Sequence, residues 1–213
     1  MDIQRTEQTN SGAPSIRLTA FVALMVILTA STAWAGDDGD QWEVDGDRSS
    51  LRFVSDAPME KIVGTSEQLQ GTIEFDVDNP SDLDGTIKFP VDSMRTGNST
   101  RDRHLTQEDW LHAEEYPHVS FEVVDFDDVE IARSDDRIDV RGTVTGNVEV
   151  RGVSKEHEVD IQFAVLPEQN LARVQPELSI RLADHDVAGA DNTIGTEVGE
   201  VIEVTMTIYA NRQ

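Results

Sequence analysis

Beyond residue 50 the chain alternates apolar and polar side chains with a period of two, segment after segment. A stretch with that period buries one face and wets the other, which is the habit of a half-buried β-strand and of nothing helical. Such segments occupy residues 51–53, 72–77, 86–91, 119–123, 138–144, 147–150, 158–165, 178–182 and 201–208. Between them stand turn signals: Asp78-Asn79-Pro80-Ser81-Asp82 with Gly85, Thr145-Gly146-Asn147, and Gly152. Strands at this density with short connections predict an all-β, antiparallel domain. No repeat, low-complexity tract or second domain interrupts residues 41–213. Alternation does not separate a sandwich from a barrel, since each strand shows one apolar face in either. The inward set, rich in Val and Ile and poor in aromatics, covers a wall better than it fills a wide interior. Phe53, Phe75, Phe89 and Phe121 share parity with their apolar neighbours and are expected to point inward, onto a lumen or into a solid core.

The alternation stops between residues 96 and 121. Thr96-Gly97-Asn98 reads as a turn, because Gly and Asn tolerate positive φ. From Arg101 to Leu111 there is neither Pro nor Gly, which predicts a short helical insertion near residues 101–112. It brings Leu105, Trp110 and Leu111 back toward the sheet. Tyr116-Pro117 ends it, since the residue before Pro is pushed out of the helical region. A segment of this kind is expected to lie on the β structure as a lid or plug.

Thr96-Gly97-Asn98, Arg101-Asp102, His104-Leu105, Trp110-Leu111 and Tyr116-Pro117-x-Val119-x-Phe121 resemble the central signature of the YceI-like family. Trp42-Glu43-Val44-Asp45 with Ser50-Leu51-Arg52-Phe53 is similar to that family's opening strands, and Gly71-Thr72-Ile73-Glu74-Phe75-Asp76 to its second hairpin. Residues 142–155 are similar to its Gly-x-Leu-x-Ile-x-Gly-Val-Thr-Lys segment. The resemblance implies an extended antiparallel lipocalin-like β-barrel of about eight strands with an apolar interior. It implies an exported protein that holds an isoprenoid chain, of polyprenyl or quinone type, as carrier or reservoir. It implies no settled enzymatic activity and no cofactor other than such a lipid. Arg181-Leu182-Ala183-Asp184-His185-Asp186-Val187 departs from the family's Arg and aromatic-Gly pattern, so ligand contacts are not carried over to it. The segment from Met59 to Gly64 is also a less familiar version of the family's.

On these readings the lumen and lid candidates are Phe53, Phe75, Phe89, Leu105, Trp110 and Phe121. Arg101 and His104 carry two alternatives. They grip a head group by donating to a phosphate or quinone oxygen, or Arg101 pairs with Asp102 and pins the lid by bonding strand-end carbonyls. The five His, at 104, 112, 118, 157 and 185, show no ligand pair at helical spacing, so no metal site is expected; Asp184-His185-Asp186 is the best remaining candidate. No Gly-x-Ser-x-Gly elbow and no Cys point to a nucleophile, and no catalytic residue is expected. The competing reading is a periplasmic binding or adaptor protein with a filled barrel, an acidic outer face and no lipid.

Arg17, the apolar run over residues 18–30 and Ala33-Trp34-Ala35 match a secretory signal, residues 1–35, cleaved near Ala35. The run is short of the roughly 20 residues that span a bilayer, so no integral membrane span is expected. A polar tail, residues 36–40, follows, and the mature protein is expected in the periplasm or secreted. With 42 acidic against 17 basic residues the formal charge is −25, which disfavours nucleic acid as a partner. The acids fall on polar strand faces, such as Glu74, Glu149, Glu158, Asp160 and Glu203, or in loops such as residues 125–130. Three Lys accompany fourteen Arg, which together with the acidity points to a saline habitat. Nothing in the sequence decides between monomer and dimer.

Overall fold

The computed structural model describes residues 39–190 and 193–213. The expected signal, residues 1–35, and most of the polar tail lie outside them. Eleven strands run through the described residues: β1 Asp40–Val44, β2 Ser50–Asp56, β3 Lys61–Ser66, β4 Gln70–Phe75, β5 Asp84–Pro90, β6 His118–Arg133, β7 Ile138–Val150, β8 Val153–Leu166, β9 Leu171–Val174, β10 Glu177–Arg181 and β11 Val201–Arg212. The helix α1, Ser99–Leu105, stands between β5 and β6. Every strand pairing is antiparallel. The circuit β1-β4-β5-β6-β7-β8-β9-β11 closes where β1 pairs with β11, giving an eight-strand barrel. Closure removes the unpaired edges that an open sheet would show.

β11 serves two neighbourhoods. Residues 208–212 lie between β9 and β1, whereas residues 201–207 lie between β10 and β2. β2 in turn carries β3, whose outer edge is bridged to Arg95 at Thr65. The barrel is thus tight at one end and flared at the other.

The tight end is filled. Trp42 stacks on Phe75 at 5.0 Å, Phe163 meets Phe75 edge-on at 5.5 Å, and Phe126 lies 6.3 Å from Phe163. Such pairs add roughly 0.5–1.5 kcal/mol beyond the area they bury. Small residues make room for several rings. A Cβ on Gly146 would fall 2.2 Å from Phe121 Cζ, so the ring lies where a side chain would stand.

Three local expectations need correction. Thr145-Gly146-Asn147 is no turn: β7 runs unbroken from Ile138 to Val150, and Gly146 serves the Phe121 ring instead. Gly85 lies inside β5 opposite Ile73, so the turn ends before it. The acidic stretch 125–130 is strand rather than loop. β6 carries it past two register shifts, with Asp128 at φ +54°. The turn at Gly152 is as expected: Arg151 and Gly152, at φ +51° and +73°, form a two-residue link between β7 and β8.

Candidate ligand cavity

The flared end is covered by the segment between β5 and β6. After a 3-10 turn at Val91–Ser93, Ser93 Oγ meets Ser66 Oγ of β3 at 2.7 Å. Arg95 exchanges both backbone hydrogen bonds with Thr65, at 2.8 and 2.9 Å. Gly97 turns the chain at φ +74°. Asn98, at φ −130°, is not the second turn residue but the N-cap of α1, its Oδ1 accepting from the N–H groups of Thr100 and Arg101. The helix is shorter than expected and begins earlier. It ends at Leu105 because Thr106 Oγ1 donates to the Arg103 carbonyl and the chain then folds back, Leu111 N–H donating to the Leu105 carbonyl.

A residue that sequence reasoning passed over holds this lid. Arg151, on the β7–β8 turn, donates from Nη2 to the Glu108 carbonyl at 2.9 Å and from Nη1 to the Asp186 carbonyl. One side chain thereby ties the lid to the loop after β10. The Tyr116 ring seats on Gly152 of the same turn.

Beneath the lid is a cavity of about 380 Å³. Its walls include Leu51, Phe53, Ile62, Phe89, Val119, Val150, Ile180 and Val204, and its roof is Leu105, Trp110 and Leu111. Thr96, Asn98, Thr100, Arg101 and His104 form the rim on the lid side, and Glu60, Thr193 and Glu197 face them. A smaller cavity of about 70 Å³, lined among others by Phe75, Phe121, Ile87, Val144, Leu178 and Met206, lies deeper. Ile202 and Val204 of β11 face the first and Met206 and Ile208 the second, so the two follow one another along the inner face of the barrel. The two cavities in line, from a polar mouth past apolar walls to the aromatic plug, are together called the passage.

All eight candidate residues border this passage. Phe53, Phe89, Leu105, Trp110, Arg101 and His104 line the larger cavity; Phe75 and Phe121 line the smaller. The expected Arg101–Asp102 pair is not formed. Asp102 Oδ1 instead accepts from Thr96 N–H at 2.8 Å and Thr96 Oγ1 at 2.6 Å. Arg101 reaches across the mouth to Glu60 Oε1 at 2.7 Å, its Nε donating to Thr96 Oγ1 at 3.1 Å. The physical reason is that Asp102 is drawn to the backbone N–H and hydroxyl of Thr96, which leaves the guanidinium to a carboxylate on the β2–β3 turn. Glu60 and Glu197 were not foreseen, since a carboxylate in so acidic a chain carries no signal of its own.

The loop 182–187, left aside in the sequence, meets the cavity with its two apolar ends, Leu182 and Val187. Its charged middle turns away. His185 is fully buried, its Nδ1 at 2.9 Å from the Val153 carbonyl, and its ring stacks on His157 at 6.1 Å. Burial, and then the neighbouring His185 imidazole, hold His157 below the usual histidine range, with Asp184 opposing. No group of three or more metal-ligating side chains comes together among the described residues, and no helix among them is long and apolar enough to cross a membrane.

Residues 42–210 match the YceI-like domain family, which spans the barrel and its lid. The chain belongs to the YceI-like family. Among curated relatives it is 24% identical over 147 residues to a UPF0312 protein of Pectobacterium atrosepticum, covering 68% of this chain and 71% of that one. It is 25% identical over 143 residues to protein YceI of Escherichia coli O157:H7, covering 67% and 72%. Against a Staphylococcus aureus UPF0312 protein the identity is 26% over 120 residues, and the match spans 63% of that protein's length. Two solved structures share the fold. Burkholderia cenocepacia BcnA aligns at TM-score 0.65 and 18% identity over 79% of this chain and 99% of its own. A polyisoprenoid binding domain from Saccharophagus degradans aligns at TM-score 0.64 and 15% identity over 81% and 98%. The barrel of this YceI-like chain is therefore that of the family.

Proposed function

We propose that this protein binds an isoprenoid lipid, of polyprenyl or quinone type, inside its barrel and acts as an exported carrier or reservoir. The observation that carries the reading is the passage itself: a bore walled by aliphatic and aromatic side chains, closed by an aromatic plug and opening at a lid with polar groups. An apolar tail entering it leaves water at about 0.8 kcal/mol per CH₂. The polar groups then orient the head. Binding is non-covalent, and no bond is made or broken. The polyisoprenoid binding domain of Saccharophagus degradans, which shares the fold, lends the lipid class. Export rests on the signal pattern of residues 1–35, and mature protein from the periplasmic or secreted fraction is expected to begin at Gly36.

Native mass spectrometry of protein purified from its own cell envelope tests the reading. A co-purifying lipid of defined mass with an isoprenoid tail is the expected result. Its repeated absence, together with failure to take up a fluorescent polyprenol analogue, would sink the carrier and leave an adaptor with an empty or filled barrel.

A further inference from the structure

Taking the isoprenoid reading as its basis, we infer that the mouth selects an uncharged head group, a hydroxyl or carbonyl, and rejects an isoprenyl phosphate of the same tail. Among the described residues the cavity lining holds two carboxylates, Glu60 and Glu197, one guanidinium, Arg101, and the His104 imidazole. Arg101 is already committed: Nη1 is 2.7 Å from Glu60 Oε1 and Nε donates to the Thr96 hydroxyl. A phosphate seeking that guanidinium displaces Glu60 or lies beside it, and meets Glu197 as well. Like charges disfavour one another, and at these exposed carboxylates the repulsion is open to screening by salt.

Three backbone donors of the rim, another way to hold an anion, are spent too. The N–H groups of Thr100 and Arg101 donate to Asn98 Oδ1, and the N–H of Thr96 donates to Asp102 Oδ1. Side-chain oxygens of the chain itself already fill the places a phosphate oxygen would take. Thr96 Oγ1 is itself taken up by Asp102 and Arg101, so beside the His104 imidazole the mouth offers neutral groups: the hydroxyls of Thr100 and Thr193 and the Asn98 side-chain NH₂. These satisfy a hydroxyl or a quinone oxygen, and they leave the double charge of a phosphate unmatched.

The β2–β3 turn keeps Glu60 in place. Ala57 N–H donates to the Glu60 carbonyl at 3.0 Å, and Met59 N–H to the Thr196 carbonyl at 3.1 Å. The carboxylate therefore faces the lid from a turn anchored on both sides. Glu60 and Glu197 are specificity-determining residues in this reading, with Arg101 holding Glu60 across the opening.

The test uses three probes with one tail: farnesol, a farnesyl-substituted benzoquinone and farnesyl phosphate. Each displaces a fluorescent farnesol analogue from delipidated full-length mature protein. At low salt the phosphate is expected to bind at least about tenfold more weakly than the two neutral probes, with the gap narrowing as salt shortens the range of the repulsion. In the Glu60→Gln, Glu197→Gln variant the gap is expected to shrink to about threefold or less. Should the double variant unfold, Glu197→Gln alone, at an exposed position, is expected to narrow the gap in part. Phosphate binding as tight as farnesol in the wild type overturns the inference while leaving the isoprenoid reading intact. A wild-type gap unmoved in the folded variants overturns the assignment to these carboxylates. If none of the three probes binds, the isoprenoid reading falls, and this inference falls with it.

Discussion

Replacing Gly64 with Ala distinguishes an open bore from a packed core by a single methyl group. Gly64 lies directly opposite Phe53 in the β2–β3 ladder, and a Cβ there would stand 2.1 Å from Phe53 Cζ. Ordinary contact begins at 3.4 Å, so the ring tip must retreat by about 1.3 Å. In a close-packed interior such overpacking costs roughly 1–3 kcal/mol. Here the ring borders the cavity of about 380 Å³ and can give way into it. The substitution also relieves the strand of a glycine, a gain of about 0.5–1 kcal/mol. The net change in stability is then within about 1 kcal/mol, a shift in Tm of roughly 2–4 °C or less for a domain of this size. Uptake pays instead. A ring pushed into the bore excludes one or two methylene groups of tail, about 0.8–1.6 kcal/mol, or roughly a fourfold to fifteenfold weaker complex. Gly146→Ala is the matching control, because its Cβ meets the Glu122 carbonyl oxygen at 2.8 Å as well as the Phe121 ring. A peptide oxygen has no rotamer by which to move, so that variant should lose about 2 kcal/mol or more. Thermal unfolding and displacement of the polyprenol analogue read both quantities. Gly64→Ala as unstable as Gly146→Ala, with uptake unchanged, would refute the open bore.

Arg151→Ala removes both ties between the β7–β8 turn and the lid; ligand dissociation should quicken severalfold while Tm falls by only a few degrees, and an unchanged off-rate would mean that Arg151 does not hold the lid. His157 titrates below its ordinary 6.5 in the folded protein, so the unfolded chain takes up the proton first and stability should decline as pH drops below 6.5 toward the lowered folded value. His157→Gln should flatten the Tm profile below pH 6.5, and an equally steep profile in the variant would assign the loss to other groups. The charge of −25 predicts that Tm rises with NaCl, as the Debye length shrinks from about 10 Å at 0.1 M to about 3 Å at 1 M; a flat or falling curve would show the acids to be locally compensated.

The period-two pattern made most of the barrel legible but passed over β3 and the short β9, and the first of these misses is instructive. β3 alternates cleanly in burial, but its inward residues are Ile62, Gly64 and Ser66. Only one of the three is a large apolar side chain, since Gly64 makes room for Phe53 and Ser66 bonds Ser93. Inwardness was real while hydrophobicity was absent. Gly146 misled for a related reason: a glycine that clears space for a ring reads in sequence like one that turns the chain. The lid was visible as a break in alternation and as a family-like run, and all eight residues singled out border the passage. Its fastenings were not visible. The Arg101–Glu60 contact spans the lid and the β2–β3 turn, and Arg151 holds carbonyls of two distant segments. Such partners are set by tertiary geometry, not by spacing along the chain.

β11 follows every other strand in chain order, yet it is the stave on which β1, β2, β9 and β10 all depend. A chain emerging from its N-terminus can assemble the run from β4 to β8 by pairing strands that follow one another in sequence, with the lid looping out between β5 and β6. The circle stays open until the last stave arrives and Trp42 comes to lie opposite Arg212. That step closes the longest loop in the molecule, so it should be slow and should limit the folding rate. Before it, β1 and β9 offer bare edges to other chains. The waiting period is thus when this molecule is most exposed to aggregation and most in need of a chaperone.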